Sequence, residues 1–123
     1  MNVEKWFKDG TNLPIKELRY LKPPKLPYFL YTNKKEYRGA DLVINIVENN
    51  ITIERYSNTN NETDLEEIQK VDDFLDLNFY TYEKQSDWLD SEGLYGTFWV
   101  LDPIVEKLRK ERKVWKEQKR LSL

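Results

Sequence analysis

The chain contains no cysteine and no histidine among its 123 residues. Without cysteine it can form no disulfide, thiolate nucleophile or Cys/His zinc site, and without histidine it lacks the commonest general base. The N-terminus has no apolar stretch of signal-peptide length, and no run approaches the roughly 20 apolar residues that span a bilayer. We therefore expect a cytoplasmic protein with no membrane contact, no cofactor and no structural metal.

The composition is that of one domain with a well-solvated exterior. Hydrophobic residues make up 39% of the chain and aromatic residues 14%, which is enough for a packed core, while 34% of the residues are charged. The charge is uneven, because residues 1–103 hold 12 basic and 19 acidic side chains whereas residues 104–123 hold 8 and 3. We expect residues 1–103 to form a single α+β domain with an N-terminal arm, followed by a basic C-terminal helix at 104–123.

A small sheet is predicted between residues 23 and 57. Three prolines, at 23, 24 and 27, lack amide donors and disfavour a helix, so an extended strand should follow at 26–31. Leu42, Ile44 and Ile46 alternate with residues 43, 45 and 47, and the alternation resumes at 51–54. Asn49 and Asn50 between the two runs tolerate the positive φ of a tight turn. The minimum interpretation is a three-stranded antiparallel sheet.

A polar stretch at residues 32–40, TNKKEYRGA, separates the first two predicted strands. It is longer than the two to five residues usual for a hairpin connection, which predicts a projecting loop. We take Lys34, Lys35, Arg38 and Asp41 as candidate interface residues, since the positive charges among them suit phosphate or an acidic protein. The alternative is that they are simply solvated.

A helix is predicted to begin at Thr63, because Glu66 three residues later completes a capping box. Its apolar face consists of Leu65, Ile68, Val71, Phe74 and Leu75. Asp72, Asp73 and Asp76, together with Glu66 and Glu67, make an acidic run on this segment that offers oxygen ligands for Mg²⁺. A solvated helix face is the preferred interpretation, because no phosphate-binding glycine loop or second carboxylate motif accompanies them.

Further strands are predicted at residues 78–83 and 95–101 from their alternating patterns. Residues 87–93 between them, which include Trp88 and Leu89 in a polar setting, predict a turn or a single helical turn. Segments 3–8 and 13–21 predict short helices or turns that pack on the sheet or on a neighbouring subunit. The order of elements indicates an α+β fold, with an antiparallel sheet of four to five strands and helices on one face.

The C-terminal segment is predicted to be helical from residue 104 to about residue 120, because Asp102 and Pro103 suit the N-cap and first positions of a helix. Its apolar stripe is interrupted at Arg112, so the distal part should project. Arg112, Trp115 and Lys116 are candidate contacts with another chain, such as the acidic surface of a neighbouring copy. The basic residues equally complement the helix dipole, or would bind nucleic acid non-specifically.

Three short motifs carry a resemblance to a known family. They are YLKPPKLPY at 20–28, RGAD at 38–41 and ITIERYS at 51–57. Over roughly residues 13–101 the chain resembles small structural proteins of tailed bacteriophages and prophages, in particular the tail completion, head–tail joining or tail terminator family. The resemblance implies an α+β fold without enzymatic residues, and self-assembly into a ring, commonly a hexamer, that contacts connector or tail-tube proteins. The helix predicted after Asp102 is not part of this resemblance.

The leading functional expectation is therefore a non-enzymatic virion assembly protein at the head–tail junction or tail terminus. A second hypothesis is a small nucleic-acid-binding module that uses the basic C-terminal helix, although the sequence pI near 5.3 argues against a wide basic face. A carboxylate-dependent metalloenzyme is a third possibility, disfavoured by the missing motif.

Overall fold

Six strands and two helices make up the part of the chain that the structure, a computed structural model, describes: residues 1–17, 24–39 and 45–107. In chain order the elements are α1 (Val3–Thr11), β1 (Lys16–Glu17), β2 (Tyr28–Arg38), β3 (Ile46–Ser57), α2 (Glu62–Leu77), β4 (Tyr82–Leu89), β5 (Leu94–Leu101) and β6 (Ile104–Lys107). The strand order is β1-β2-β3-β5-β4, and β6 pairs with β3 as well. The predicted α+β class is confirmed. The sheet has more strands than expected, and it is mixed because β1 runs parallel to β2.

The central strand β3 corrects the predicted hairpin at Asn49 and Asn50. The strand continues through both residues, and burial alternates along its whole length, with Val47, Ile51 and Ile53 on the buried face. Asn49 is fully buried in the strand, and its Nδ2 donates to the carbonyl of Ile104 at 3.2 Å. These polar contacts satisfy the amide inside the sheet, so the turn that asparagine favours locally does not form.

The predicted loop at residues 32–40 is also wrong, because β2 extends to Arg38. Eleven residue pairs join β2 to β3, from Tyr28 opposite Tyr56 to Arg38 opposite Ile46. The chain reverses after Arg38, whose carbonyl accepts from the amide of Asn45 at 3.1 Å. Pairing along β3 satisfies the backbone of this polar stretch even though its side chains are exposed. Asp41 and the predicted strand start at residue 42 lie outside the described residues.

The core lies between one face of the sheet and the two helices. Its fully buried side chains include Phe7 of α1, Leu75 of α2, Ile53 of β3 and Trp99 of β5. Residues 3–8, predicted as a short helix or turn, lie in helix α1, which packs on this chain's own core. The ring centroids of Trp6 and Phe74 are 4.9 Å apart. Of the other predicted arm segment, residues 16–17 form a strand rather than a helix, and residues 18–21 are not described.

The N-cap of helix α2 lies two residues earlier than the sequence predicts, at residue 61 rather than residue 63. Asn61 is its N-cap, and its side chain and that of Asp64 bond reciprocally to each other's backbone amides in a capping box. Of the predicted apolar face, Val71, Phe74 and Leu75 are buried and Ile68 is half-buried, but Leu65 is exposed. The helix therefore covers the sheet with its second half more fully than with its first.

Helix α2 is followed by a residue in the left-handed backbone conformation, and the next strand therefore begins later in the chain than predicted. Phe79 has φ 59°, and the amide of Tyr80 donates to the carbonyl of Leu75 at 2.9 Å, as in a Schellman motif. The strand predicted at 78–83 therefore starts at Tyr82 instead. The turn predicted at 87–93 shrinks to residues 90–93, where the amide of Gly93 donates to the carbonyl of Leu89.

Residues 104–107 form strand β6, which contradicts the helix predicted after Asp102 and Pro103. Because β5 pairs only with residues 52–57 of β3, the rest of that edge of β3 accepts β6, with Ile104 opposite Asn49. Long-range backbone pairing therefore overrides a good local helix signal. The remaining predicted helix, including the candidate contacts Arg112, Trp115 and Lys116, lies outside the described residues.

Candidate functional site

The basic candidate residues Lys34, Lys35 and Arg38 lie at the far end of β2, and the three do not converge on one site, because Lys34 and Arg38 are on one face of the strand and Lys35 is on the other. All three are exposed. Arg38 is partly neutralised, since its Nη2 lies 3.3 Å from Oε2 of Glu48 on the paired strand. This end of the β2–β3 ladder is an exposed polar surface, and Lys35 also lines a groove of about 390 Å³ together with Met1, Val3, Glu17, Tyr31 and Asn33.

A groove of about 310 Å³ opens elsewhere, on the helix-bearing face of the sheet between the first half of α2 and the β4–β5 hairpin. Leu65 and Ile68 of α2 form one wall, and Trp88 of β4 and Tyr95 of β5 form the other. We call this feature the aromatic groove. It exists because the hairpin extends past the part of the sheet that α2 covers.

The aromatic groove leaves large apolar side chains in contact with water. Leu65 is 55% exposed, Trp88 48% and Tyr95 37%. The Trp88 and Tyr95 rings are cross-strand neighbours with centroids 4.7 Å apart in an edge-on arrangement. Behind them, the hydroxyl of Ser86 donates to that of Thr97 at 3.2 Å. An apolar side chain that binds in the groove would therefore contact hydrophobic residues on two sides and two hydroxyl groups at the base.

A buried ion-pair network closes the end of the groove near Arg55. The Arg55 guanidinium is buried, and its Nη2 lies 2.8 Å from Oδ1 of Asp64 and 3.2 Å from Oε2 of Glu67. Ser57 and Thr59 also donate to the Asp64 carboxylate. Within the described residues, Nε of Arg55 is left without a hydrogen-bond partner. The network ties the start of α2 to β3.

The hydrogen bonds to Asp64 decide its protonation. Burial by itself would raise the pKa of this carboxyl group, but hydrogen bonds from Thr59, Arg55, the Asn61 amide and Ser57 outweigh burial and lower the pKa to about 2. Asp64 is therefore ionised at neutral pH and works as a structural acceptor.

The acidic residues singled out as Mg²⁺ ligands serve as hydrogen-bond acceptors. Asp72 accepts from Nε1 of Trp99 at 2.8 Å and from Nζ of Lys84 at 2.7 Å, and Asp76 accepts from the hydroxyl of Tyr82 at 2.8 Å. Within the described ranges, no three acidic side chains are grouped so as to hold a metal ion. The Asp72 carboxylate joins α2 to strands β4 and β5.

Three tyrosines have a raised pKa, which makes them weaker acids. Burial, followed by the hydrogen bond to Asp76, raises the pKa of Tyr82 to about 12. Burial also raises the pKa of Tyr56, helped by its hydrogen bond to Glu54, and the pKa of Tyr28. These phenols stay protonated at neutral pH, so their environment does not prepare them for proton transfer.

Strand β4, beside the aromatic groove, forms an open edge of the sheet. The amide of Asp102 donates to the carbonyl of Thr81 directly opposite, at 2.9 Å, which sets the alternation of the antiparallel ladder. It follows that Lys84, Ser86 and Trp88 direct their backbone N–H and C=O groups away from β5. Among the described strands, none lies on the outer side of β4 to pair with these outward backbone groups. Their side chains line the groove, so edge and groove form one continuous surface.

The sequence matches no protein-family model and no curated protein. Neither helix in the described part of the chain has the length and apolar character needed to cross a membrane. The groove was not recognised from the sequence, which places Trp88 in a turn. The one available signal was the presence of two large aromatics, Trp88 and Tyr95, on either side of a polar connection.

Proposed function

We propose that this chain is a non-enzymatic structural protein of a tailed phage or prophage, which acts at the head–tail junction or tail terminus and assembles there as a ring. Two things support the proposal. The motifs at 20–28, 38–41 and 51–57 resemble those of tail completion proteins, and the α+β fold is the class that this resemblance implies. The main structural observation in support of assembly with other chains is the open edge of β4 beside the aromatic groove.

That surface is suited to binding another protein chain. The free backbone groups of β4 offer hydrogen bonds to an extended segment, and the groove beside them offers a pocket for its side chain. Tryptophan and tyrosine, as at Trp88 and Tyr95, are enriched among the residues that dominate binding energy. Of the charged groups that line the groove, Arg55 is bonded to Asp64 and Lys84 to Asp72, so neither cation is held ready for a substrate.

We therefore propose contact surfaces with neighbouring subunits that differ in part from those expected from the sequence. Helix α1 contributes Phe7 to this chain's own core, so the N-terminal arm is not the contact we now propose. The exposed end of the β2–β3 ladder, with Lys34, Lys35 and Arg38, stays a proposed contact with a like subunit or a neighbouring connector or tail-tube protein. The β4 edge with its groove is the proposed second contact.

The function is tested in the phage or prophage that carries the gene. A stop codon early in this gene should leave filled heads and tails that are not joined or are abnormal in length, seen by electron microscopy of the lysate. A plasmid copy of the wild-type gene should restore joined particles. Normal, infectious particles without the protein would refute the proposal.

A further inference from the structure

Exposed apolar side chains border the outer edge of β4 at both of its ends. Of the eight large apolar side chains that are exposed among the described residues, Leu77 and Phe79 come just before the strand. Three more, Leu65, Trp88 and Tyr95, line the aromatic groove. Apolar surface gathered beside backbone groups that no described strand pairs with is typical of a place where another chain binds.

The two ends of β4 suit each other when two copies of the strand run antiparallel. Antiparallel pairing about a twofold axis brings the start of one strand to the end of the other, so Leu77 and Phe79 of each copy approach the Trp88 end of the other copy. We propose that the β4 edge pairs with the β4 edge of a second copy and joins the two sheets into one. The inference rests on the self-assembly in the proposed function and names one of its contacts.

The charges on β4 select one register for this pairing. The outward backbone groups of β4 belong to even-numbered residues, so a symmetric pairing must set even-numbered residues opposite even-numbered ones. Two such registers use nearly the whole strand. Pairing residues 82–88 with the same residues of the second copy places Glu83 opposite Asp87, and like charges directly opposite each other destabilise a sheet. Pairing residues 83–89 in the same way sets no like charges directly opposite.

In the favoured register, Ser86 of one copy lies opposite Ser86 of the other, at the twofold axis. On the groove face, Lys84 lies opposite Trp88 of the second copy, where its methylene stem packs on the indole ring while its ammonium group keeps the bond to α2. On the other face, Gln85 lies opposite Asp87 of the second copy, and an amide and a carboxylate form a hydrogen bond. Shorter registers centred on Lys84 or on Asp87 again oppose like charges.

Pairing through β4 is symmetric, so this contact closes at two copies. A larger ring therefore needs a second contact, and the exposed end of the β2–β3 ladder is the one proposed above. The full chain carries a net charge of only −2, so long-range repulsion between two copies is weak. Charged side chains on an edge strand also serve to keep such an edge unpaired, and a chain of that kind would be monomeric.

The first test removes a backbone donor at the centre of the contact. The amide of Ser86 points away from β5, so Ser86→Pro keeps the ladder to that strand, and proline is tolerated at such a position of an edge strand. In analytical ultracentrifugation this variant should associate roughly tenfold or more weakly than the wild type, because the carbonyl opposite loses its donor. The matched control is Ser86→Ala, which loses the same hydroxyl contact with Thr97 but keeps the amide and should associate as the wild type does. Thermal melting of both variants checks the fold.

The second test reads the register from disulfide formation, and it uses a chain that has no cysteine of its own. In the favoured register the two Cα atoms of residue 86 lie about 5.5 Å apart, within the range that a disulfide spans. Mild oxidation of Ser86→Cys should therefore give a covalent dimer. Gln85→Cys is the matched control, because residue 85 lies opposite residue 87 and its two Cα atoms are about 8 Å apart, too far for a disulfide. The register that pairs residues 82–88 reverses this result.

The outcomes distinguish this inference from the proposed function. A monomeric wild type, or an association that Ser86→Pro leaves unchanged, would overturn the inference, and so would a disulfide in Gln85→Cys but not in Ser86→Cys. Weaker association of Ser86→Pro with no disulfide in either cysteine variant would also overturn it, because the edge would then bind a different segment, such as residues 108–123. A dimer that is weakened in Ser86→Pro and linked in Ser86→Cys supports the inference. If the stop codon nevertheless leaves normal, infectious particles, the proposed function fails and the dimer contact stands.

Discussion

Replacing Asp64 is the most informative test of how the groove is supported, because this residue serves two structures at once. Its carboxylate is the closest partner of the buried Arg55 guanidinium, and it accepts from the amide of Asn61 in the capping box of α2. Asp64→Ala removes both contacts. Among the described residues, Glu67 at 3.2 Å is then the one ion-pair partner that Arg55 keeps.

The expected loss of stability is about 3 kcal/mol. Removing one partner of a buried ion pair costs about 3–5 kcal/mol, because the other charge stays buried without compensation. The lower end applies here since Glu67 still neutralises part of the Arg55 charge. For a domain of this size we expect a fall in Tm of about 4 °C per kcal/mol, or roughly 12 °C.

The pH dependence provides an independent check. Because hydrogen bonds lower the pKa of Asp64 to about 2 in the folded chain, below its unfolded value of about 3.9, the ionised form favours folding. This contribution, about 2–3 kcal/mol, is complete above about pH 5, falls as the pH drops through 3.9 towards 2, and is lost below that. Asp64→Asn lacks it at every pH.

The assay is urea unfolding of the wild type and both variants between pH 2 and pH 7, followed by circular dichroism. The matched control is Asp73→Ala, which removes an exposed carboxylate of the same helix that accepts from Gln69 and should cost under about 0.5 kcal/mol. A loss below about 1 kcal/mol in Asp64→Ala would refute the reasoning. So would a difference between the wild type and Asp64→Asn that does not shrink in acid.

Three further predictions concern other parts of the fold. Phe79 is 93% exposed at a left-handed position, so Phe79→Gly should raise the free energy of unfolding by about 1 kcal/mol, whereas Phe79→Ala should not. Gly10→Ala normally stabilises a helix, but here the new methyl group would collide with the Phe74 ring, so a loss of about 1–3 kcal/mol is expected in thermal melts. Arg38→Glu should leave Tm almost unchanged, because Arg38 is exposed, while weakening subunit association in light scattering; a large loss of Tm with normal association would contradict this.

The sequence by itself determined the elements whose signals are local. The buried face of α2 at Val71, Phe74 and Leu75 and strand β5 both follow from periodicity, and periodicity reflects which side of an element must leave water. The α+β class follows from their order. Absence of cysteine and histidine likewise restricts the available chemistry without any knowledge of the fold.

Only the tertiary structure decided the elements whose partners are distant in the chain. Asn49 lies in a strand rather than a turn because Asn33, Ile104 and Glu106 satisfy its side chain from 16 to 57 residues away. Residues 104–107 become a strand for the same reason, since the free edge of β3 offers backbone partners that a helix would forgo. The aromatic groove depends on where α2 stops covering the sheet, and that is a property of packing that no local pattern encodes.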